Sequence, residues 1–158
     1  MQKISPFLWF DTQAEEAVDF YLSVFKEGKK HRVTYYNNAV PGRAGQVLTV
    51  NFELFGQNYV ALNGGPQYTF TPAISLFVRC KGQQEVDELW DKLTEGGKPG
   101  QCGWLEDKFG LSWQIAPEEM FELIGSPDPR AAQRVMEAMF PMRKIVIADL
   151  QAAAARKD

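Results

Sequence analysis

Ile4-Ser5-Pro6-Phe7-Leu8-Trp9-Phe10, near the start of the chain, and Ile74-Ser75-Leu76-Phe77-Val78-Arg79-Cys80, near its middle, are two versions of one segment. At an offset of 70, Ile4/Ile74, Ser5/Ser75 and Phe7/Phe77 are identical. At an offset of 69, Glu16/Glu85, Phe20/Leu89, Tyr21/Trp90, Val24/Leu93, Gly28/Gly97 and Lys29/Lys98 then pair. A third correspondence sets Phe55-Gly56-Gln57-Asn58-Tyr59 against Phe109-Gly110-Leu111-Ser112-Trp113. Any one match is what chance gives two strand–helix segments. Three in the same order point to an internal duplication.

The first copy opens with a strand expected over residues 4–10. Thr12 offers an N-cap oxygen with Glu15 three residues on, the spacing of a capping box. A helix follows to about Phe25, with Ala14, Ala17, Val18, Tyr21, Leu22 and Phe25 at helical spacing and Gly28 beyond its end. Strands are expected near 31–37, 46–54 and 57–63, with Pro41-Gly42-Arg43-Ala44-Gly45 as a loop and Phe55-Gly56-Gln57 as a turn. The second copy repeats a strand (74–80), a helix (83–95, with Val86, Leu89, Trp90 and Leu93 on one face) and a shortened strand run ending at Ser112 to Ala116. The expected fold is α+β: two β-α-β-β-β modules, over 1–66 and 67–117, forming U-shaped mixed sheets around a cavity. A helical C-terminal extension over 118–158 completes a single domain. Its helices are expected at Glu118 to Ile124, Pro129 to about Phe140 and from Lys144 through the alanines, with residues 152–158 fraying.

Composition narrows the function classes. The 158 residues carry 17 basic and 20 acidic side chains, a net charge of −3, which gives no electrostatic case for nucleic acid or an anionic membrane. No apolar run approaches the roughly 20 residues of a transmembrane helix. The opening residues lack a charged-then-apolar leader, so no export signal is expected, and two cysteines, Cys80 and Cys102, suit a reducing cytoplasm. A single histidine, His31, excludes any site that needs two imidazoles from one chain.

The opening segment, with Ala14-Glu15-Glu16-Ala17 and Phe20-Tyr21, resembles the vicinal-oxygen-chelate superfamily. That group includes glyoxalases, extradiol dioxygenases, and fosfomycin- and bleomycin-resistance proteins. Gln101-Cys102-Gly103-Trp104-Leu105 followed by Asp107-Lys108-Phe109-Gly110-Leu111-Ser112-Trp113-Gln114-Ile115 is similar to the PhnB-like branch, often labelled demethylubiquinone methyltransferase. The resemblance covers essentially the whole chain. It implies a homodimer that can exchange modules, and a divalent ion held by histidine and carboxylate side chains. Matched residue by residue, those stations fall on Ser5, Val60, Ser75 and Gln114. Four neutral side chains, one aliphatic, leave an ion's charge uncompensated, so no metal is expected. The glycine-rich strand-to-helix turn of a nucleotide-type cofactor is also missing, so no cofactor and no methyltransferase activity are expected.

In residues 48–54, Leu48, Val50, Phe52 and Leu54 alternate with Thr49, Asn51 and Glu53. The apolar row belongs against the helix; the polar row faces either the hollow or solvent. The expected cavity set is Ser5, Phe7, Trp9, Thr49, Asn51 and Glu53 from the first module. The second adds Ser75, Phe77, Arg79, Ser112 and Gln114. Aromatic walls with a few polar groups make a small-molecule site, although core packing explains individual aromatics equally well. Glu53 is the one candidate for proton transfer, but a structural ion pair with Arg79 is the expected reading. Cys102 has no His partner and reads as an inert thiol, His31 as a surface residue, and Trp104, Asp107 and Trp113 as packing and turn residues. The expected function is binding of a small aromatic or apolar molecule without a metal. The alternatives are a metal-dependent lyase, isomerase or dioxygenase using Glu53 and His31, and a protein that sequesters an antibiotic or toxin.

Overall fold

The computed structural model describes residues 2–157. The chain divides into two compact units, Met1–Phe70 and Thr71–Asp158. In the first, β1 (Phe7–Phe10) leads into α1 (Ala14–Val24), then β2 (Gly28–Tyr35), β3 (Val47–Leu54) and β4 (Gln57–Asn63). In the second, β5 (Ser75–Cys80) leads into α2 (Gly82–Thr94), then β6 (Lys98–Pro99), β7 (Trp104–Glu106) and β8 (Ser112–Pro117). Three helices follow: α3 (Glu118–Ile124), α4 (Pro129–Met139) and α5 (Ile147–Ala155). Among the described residues, no helix is long and apolar enough to cross a membrane.

The sheet orders are β1-β4-β3-β2 and β5-β8-β7-β6, each a mixed sheet with one parallel pair. Connectivity and order are therefore the same in both units. The register agrees as well: Phe7 stands beside Val60, and its repeat partner Phe77 stands beside Gln114. The pairing of Val60 with Gln114, read from the two Phe-Gly turns, is thus reproduced by the backbone of each parallel pair. At the first of those turns Phe55 and Gly56 both have positive φ, and Gly110 has it at the second, a conformation in which glycine meets no Cβ penalty.

Several element ends differ from expectation, each for a local reason. The first strand starts at Phe7, not at residue 4, because Pro6 has no N–H to give the ladder; only its carbonyl takes part, accepting from Val60 N. Before it, the Gln2 amide stands in for the strand, donating to Asn58 O at 3.3 Å and accepting from Asn58 N at 3.1 Å. The Thr12–Glu15 capping box does not form: the N-cap is Gln13, without a side-chain cap, and Asn63 Oδ1 takes the Ala14 N–H instead. β2 begins three residues early, at Gly28, which pairs with Leu54 of β3 and where a Cβ would collide with the Leu22 side chain and the Glu53 carbonyl. The last helix keeps its form through Ala155, beyond the expected fraying point. Ala153 is buried, and the Arg134 guanidinium donates to the carbonyls of Ala153 and Ala154.

Each sheet buries one face under its helix. Val50, Phe52 and Leu54 join Ala17, Val18 and Tyr21 in the first unit, as the alternation predicts, with the Phe52 ring stacked on Tyr59. In the second unit Cys80, Leu105, Trp113 and Ile115 lie in the core with Val86, Leu89, Trp90 and Leu93 of α2. A further cluster of Ala116, Met120, Val135, Met139, Ile145 and Leu150 holds α3, α4 and α5 together. The methionines there fill a core; Met136 and Phe140 stay exposed.

Candidate functional site

The face of the second sheet turned away from α2 can be read row by row, because residues paired across strands present their side chains on the same side. Ser75, Ser112, Glu106 and Lys98 make the first row, Phe77, Gln114 and Trp104 the second, and Arg79 with Ala116 the third. Leu105 and Trp113, on the opposite side, are buried, which fixes the orientation of the rest. Phe77 is 45 % exposed and Phe121 of α3 40 %, with ring centroids 5.8 Å apart. The Arg79 guanidinium lies over Phe121, 5.8 Å from its centroid. Ser112 is nearly covered, at 1 % exposed, and so forms the floor of the first row.

At the centre, Gln114 Nε2 donates to Ser75 Oγ at 2.9 Å. These are the two ion stations of the second unit, and they satisfy one another as a neutral amide–hydroxyl pair. In the first unit Ser5 accepts from Gln2 Nε2 at 3.2 Å, and Val60 offers no donor atom. Among the described residues, no group of three or more His, Cys, Asp or Glu could hold a metal. The stations do not fit a divalent cation, which wants carboxylate or imidazole. A nucleotide-type methyl donor gripped at a strand-to-helix turn finds the backbone amides engaged by the chain's own side chains. Glu85 accepts from Lys81 N at 2.7 Å, Glu119 from Gly82 N at 2.9 Å, and Asn63 from Ala14 N at 2.8 Å.

In the first unit the corresponding face is apolar along its middle. Phe7 and Trp9 of β1 stand beside Val60 and Leu62 of β4. Trp9 donates its indole N–H to Gly65 O and meets Tyr68 edge-on at 5.0 Å. Thr49, Asn51 and Glu53 are half-buried, and Thr49 is hydrogen-bonded to Thr34. Glu53, expected to pair with Arg79, has His31 as its partner: His31 Nε2 and Glu53 Oε2 are 3.1 Å apart. His31 is exposed, as its sequence context suggested, but it is not solitary.

Two residues of the second face were missed. Trp104 is not a core residue like Trp113; it stands beside Gln114, across from Phe77, and is only half-buried. Glu106 pairs with Ser112 as Glu53 pairs with Asn58, so the two carboxylates are repeat partners. The β7–β8 turn is one residue longer than the β3–β4 turn, and the offset of 54 defined by the Phe-Gly motif therefore slips to 53 before it. Checking that slip against alternation was the signal available. Asp107 and Trp113 behave as read: Asp107 is buried and accepts from Phe109 N, Leu111 N and Trp113 Nε1 at 2.8, 3.1 and 2.9 Å.

Comparison with known proteins agrees with this architecture. Residues 2–116 match the sequence model of the family described as 3-demethylubiquinone-9 3-methyltransferase. The PhnB protein from Bacillus cereus is 36% identical, with 73% of this chain and 99% of that one covered and a TM-score of 0.67. PA1353 from Pseudomonas aeruginosa, 18% identical over 75% of this chain and 98% of its own, shares the fold at a TM-score of 0.62. So does the fosfomycin resistance protein FosX from Listeria monocytogenes, solved with Mn(II) and sulfate, at 12% identity, 73% and 91% coverage and a TM-score of 0.51. No curated protein sequence matches the chain. Its duplicated β-α-β-β-β topology, its Phe-Gly turns and its match over residues 2–116 place the chain in the 3-demethylubiquinone-9 3-methyltransferase family, the PhnB-like branch of the vicinal-oxygen-chelate superfamily.

Proposed function

We propose that the protein binds a small, flat organic molecule on the β5–β8–β7 face and does so without a resident metal ion. The observation that carries this is the Gln114–Ser75 hydrogen bond, set between Phe77 and Trp104. A neutral amide can donate to and accept from a ligand carbonyl or hydroxyl, but it neither balances a cation nor takes up a proton. Exposed aromatic rings around a few polar groups suit recognition by stacking, each good ring pair contributing about 0.5–1.5 kcal/mol beyond area burial. The alternatives are a metal-dependent activity and sequestration of a toxic compound; FosX, which shares only the fold, was solved with Mn(II).

Calorimetric titration with 2-naphthol tests the proposal. Saturable binding near one per chain, lost in Phe77→Ala and weakened in Trp104→Ala, is expected. Elemental analysis of the purified protein should find no stoichiometric divalent ion. An ion bound at one per chain and released by Gln114→Ala would overturn the reading.

A further inference from the structure

We infer that the ligand of this face is a two-ring aromatic acid carrying a hydroxyl at the end opposite its carboxylate, an inference that rests on the binding reading above. The two ends of the face differ in chemistry. Arg79 stands at one end, beside Ala116, and Glu106 at the other, between Ser112 and Lys98. Four residue steps along β8, from Ser112 to Ala116, separate those two rows, a span of about 13 Å at strand rise. Between them lies the neutral Gln114 with Phe77 on one side and Trp104 on the other. Both end groups sit on long side chains that can reach inward, so a fused two-ring system fills the interval.

The two ends ask for different chemistry. Arg79 is exposed, and among the described residues no carboxylate lies within ion-pair distance of it. Its guanidinium is oriented over the Phe121 ring, which leaves the fork of N–H donors for a planar anion. Glu106, across from Lys98 on β6 but within ion-pair distance of no cation among the described residues, offers a carboxylate that accepts hydrogen bonds. A ligand carboxylate therefore goes to Arg79, and a hydroxyl donor goes to Glu106. Phe121 lies beyond residue 116, where the family match ends, so the C-terminal extension contributes the surface that orients the guanidinium.

The test compares 6-hydroxy-2-naphthoate with 2-naphthol, which lacks the acid, and 2-naphthoate, which lacks the hydroxyl, by calorimetry on the full chain. The hydroxy acid should bind roughly tenfold or more tighter than either analogue, the size expected for one charged hydrogen bond. Arg79→Gln should weaken both acids by about tenfold and leave 2-naphthol unchanged. Glu106→Gln should weaken 6-hydroxy-2-naphthoate and leave 2-naphthoate unchanged. If 2-naphthol binds as tightly as the acids, or either variant affects all three probes equally, the inference fails while the binding site stands. If no probe binds, both fail.

Discussion

Asn63 caps a helix that begins 49 residues before it: its Oδ1 accepts from Ala14 N at 2.8 Å. The same side chain donates through Nδ2 to Val47 O at 3.1 Å, and the Asn63 backbone carbonyl accepts from the Tyr36 hydroxyl. One buried amide thus ties α1 to β3 and β4. Asn63→Ala should cost about 1–3 kcal/mol in urea denaturation, because it strands two backbone groups at a site only 8 % exposed. Thr12→Ala, which removes the hydroxyl that caps nothing, should stay within about 0.5 kcal/mol. A larger loss at Thr12 than at Asn63 would contradict the assignment.

Asp107 holds the β7–β8 turn through three donors, and it is buried. Asp107→Ala should cost about 3 kcal/mol or more, and Asp107→Asn less, since one amide oxygen can still serve the turn. Near-ultraviolet dichroism should report the loss, because Trp113 loses the acceptor that orients its indole.

Asp87 is held below the usual carboxylate range, first by the Gln83 amide and then by Lys144, 2.9 Å away. A lowered folded-state value means that the ionised form stabilises the fold above the unfolded value. That contribution is fully present above about pH 5 and is lost as the pH falls through and below about 4. Melting temperatures of wild type and Asp87→Asn should differ at neutral pH and converge toward pH 2. A difference that stays constant with pH would show that ionisation is not its source.

The two thiols should separate in reactivity. Burial pushes Cys80 up to about 12, with the Glu85 carboxylate adding to it, and burial also raises Cys102. Thiolate is the reacting form, so at pH 8 a disulfide reagent should label half-buried Cys102 slowly and Cys80 only in denaturant. Fast labelling of Cys80 in the native protein would overturn this.

The duplication, the helix faces and the alternation of β3 were legible from the chain because they depend on local periodicity and on repeated turns. Identical residues at Phe7/Phe77 and the two Phe-Gly turns even set the register of both parallel pairs. Element ends were less legible, since their caps come from afar: Asn63 for α1, Arg134 for α5. The two missed members of the candidate site have different causes. A one-residue difference between the hairpins moved Glu106 out of alignment with Glu53, and strand register set Trp104 beside Gln114, on the face opposite Trp113.

The order of residues by itself determined that this chain makes the same unit twice and carries no charged ligand at the ion stations. Tertiary structure alone decided which side chains answer one another there: Gln114 with Ser75, His31 with Glu53, Arg79 over Phe121. The reason is physical. Periodicity assigns a residue to a face, whereas the partner it meets depends on strand register and on helices that return from distant parts of the chain.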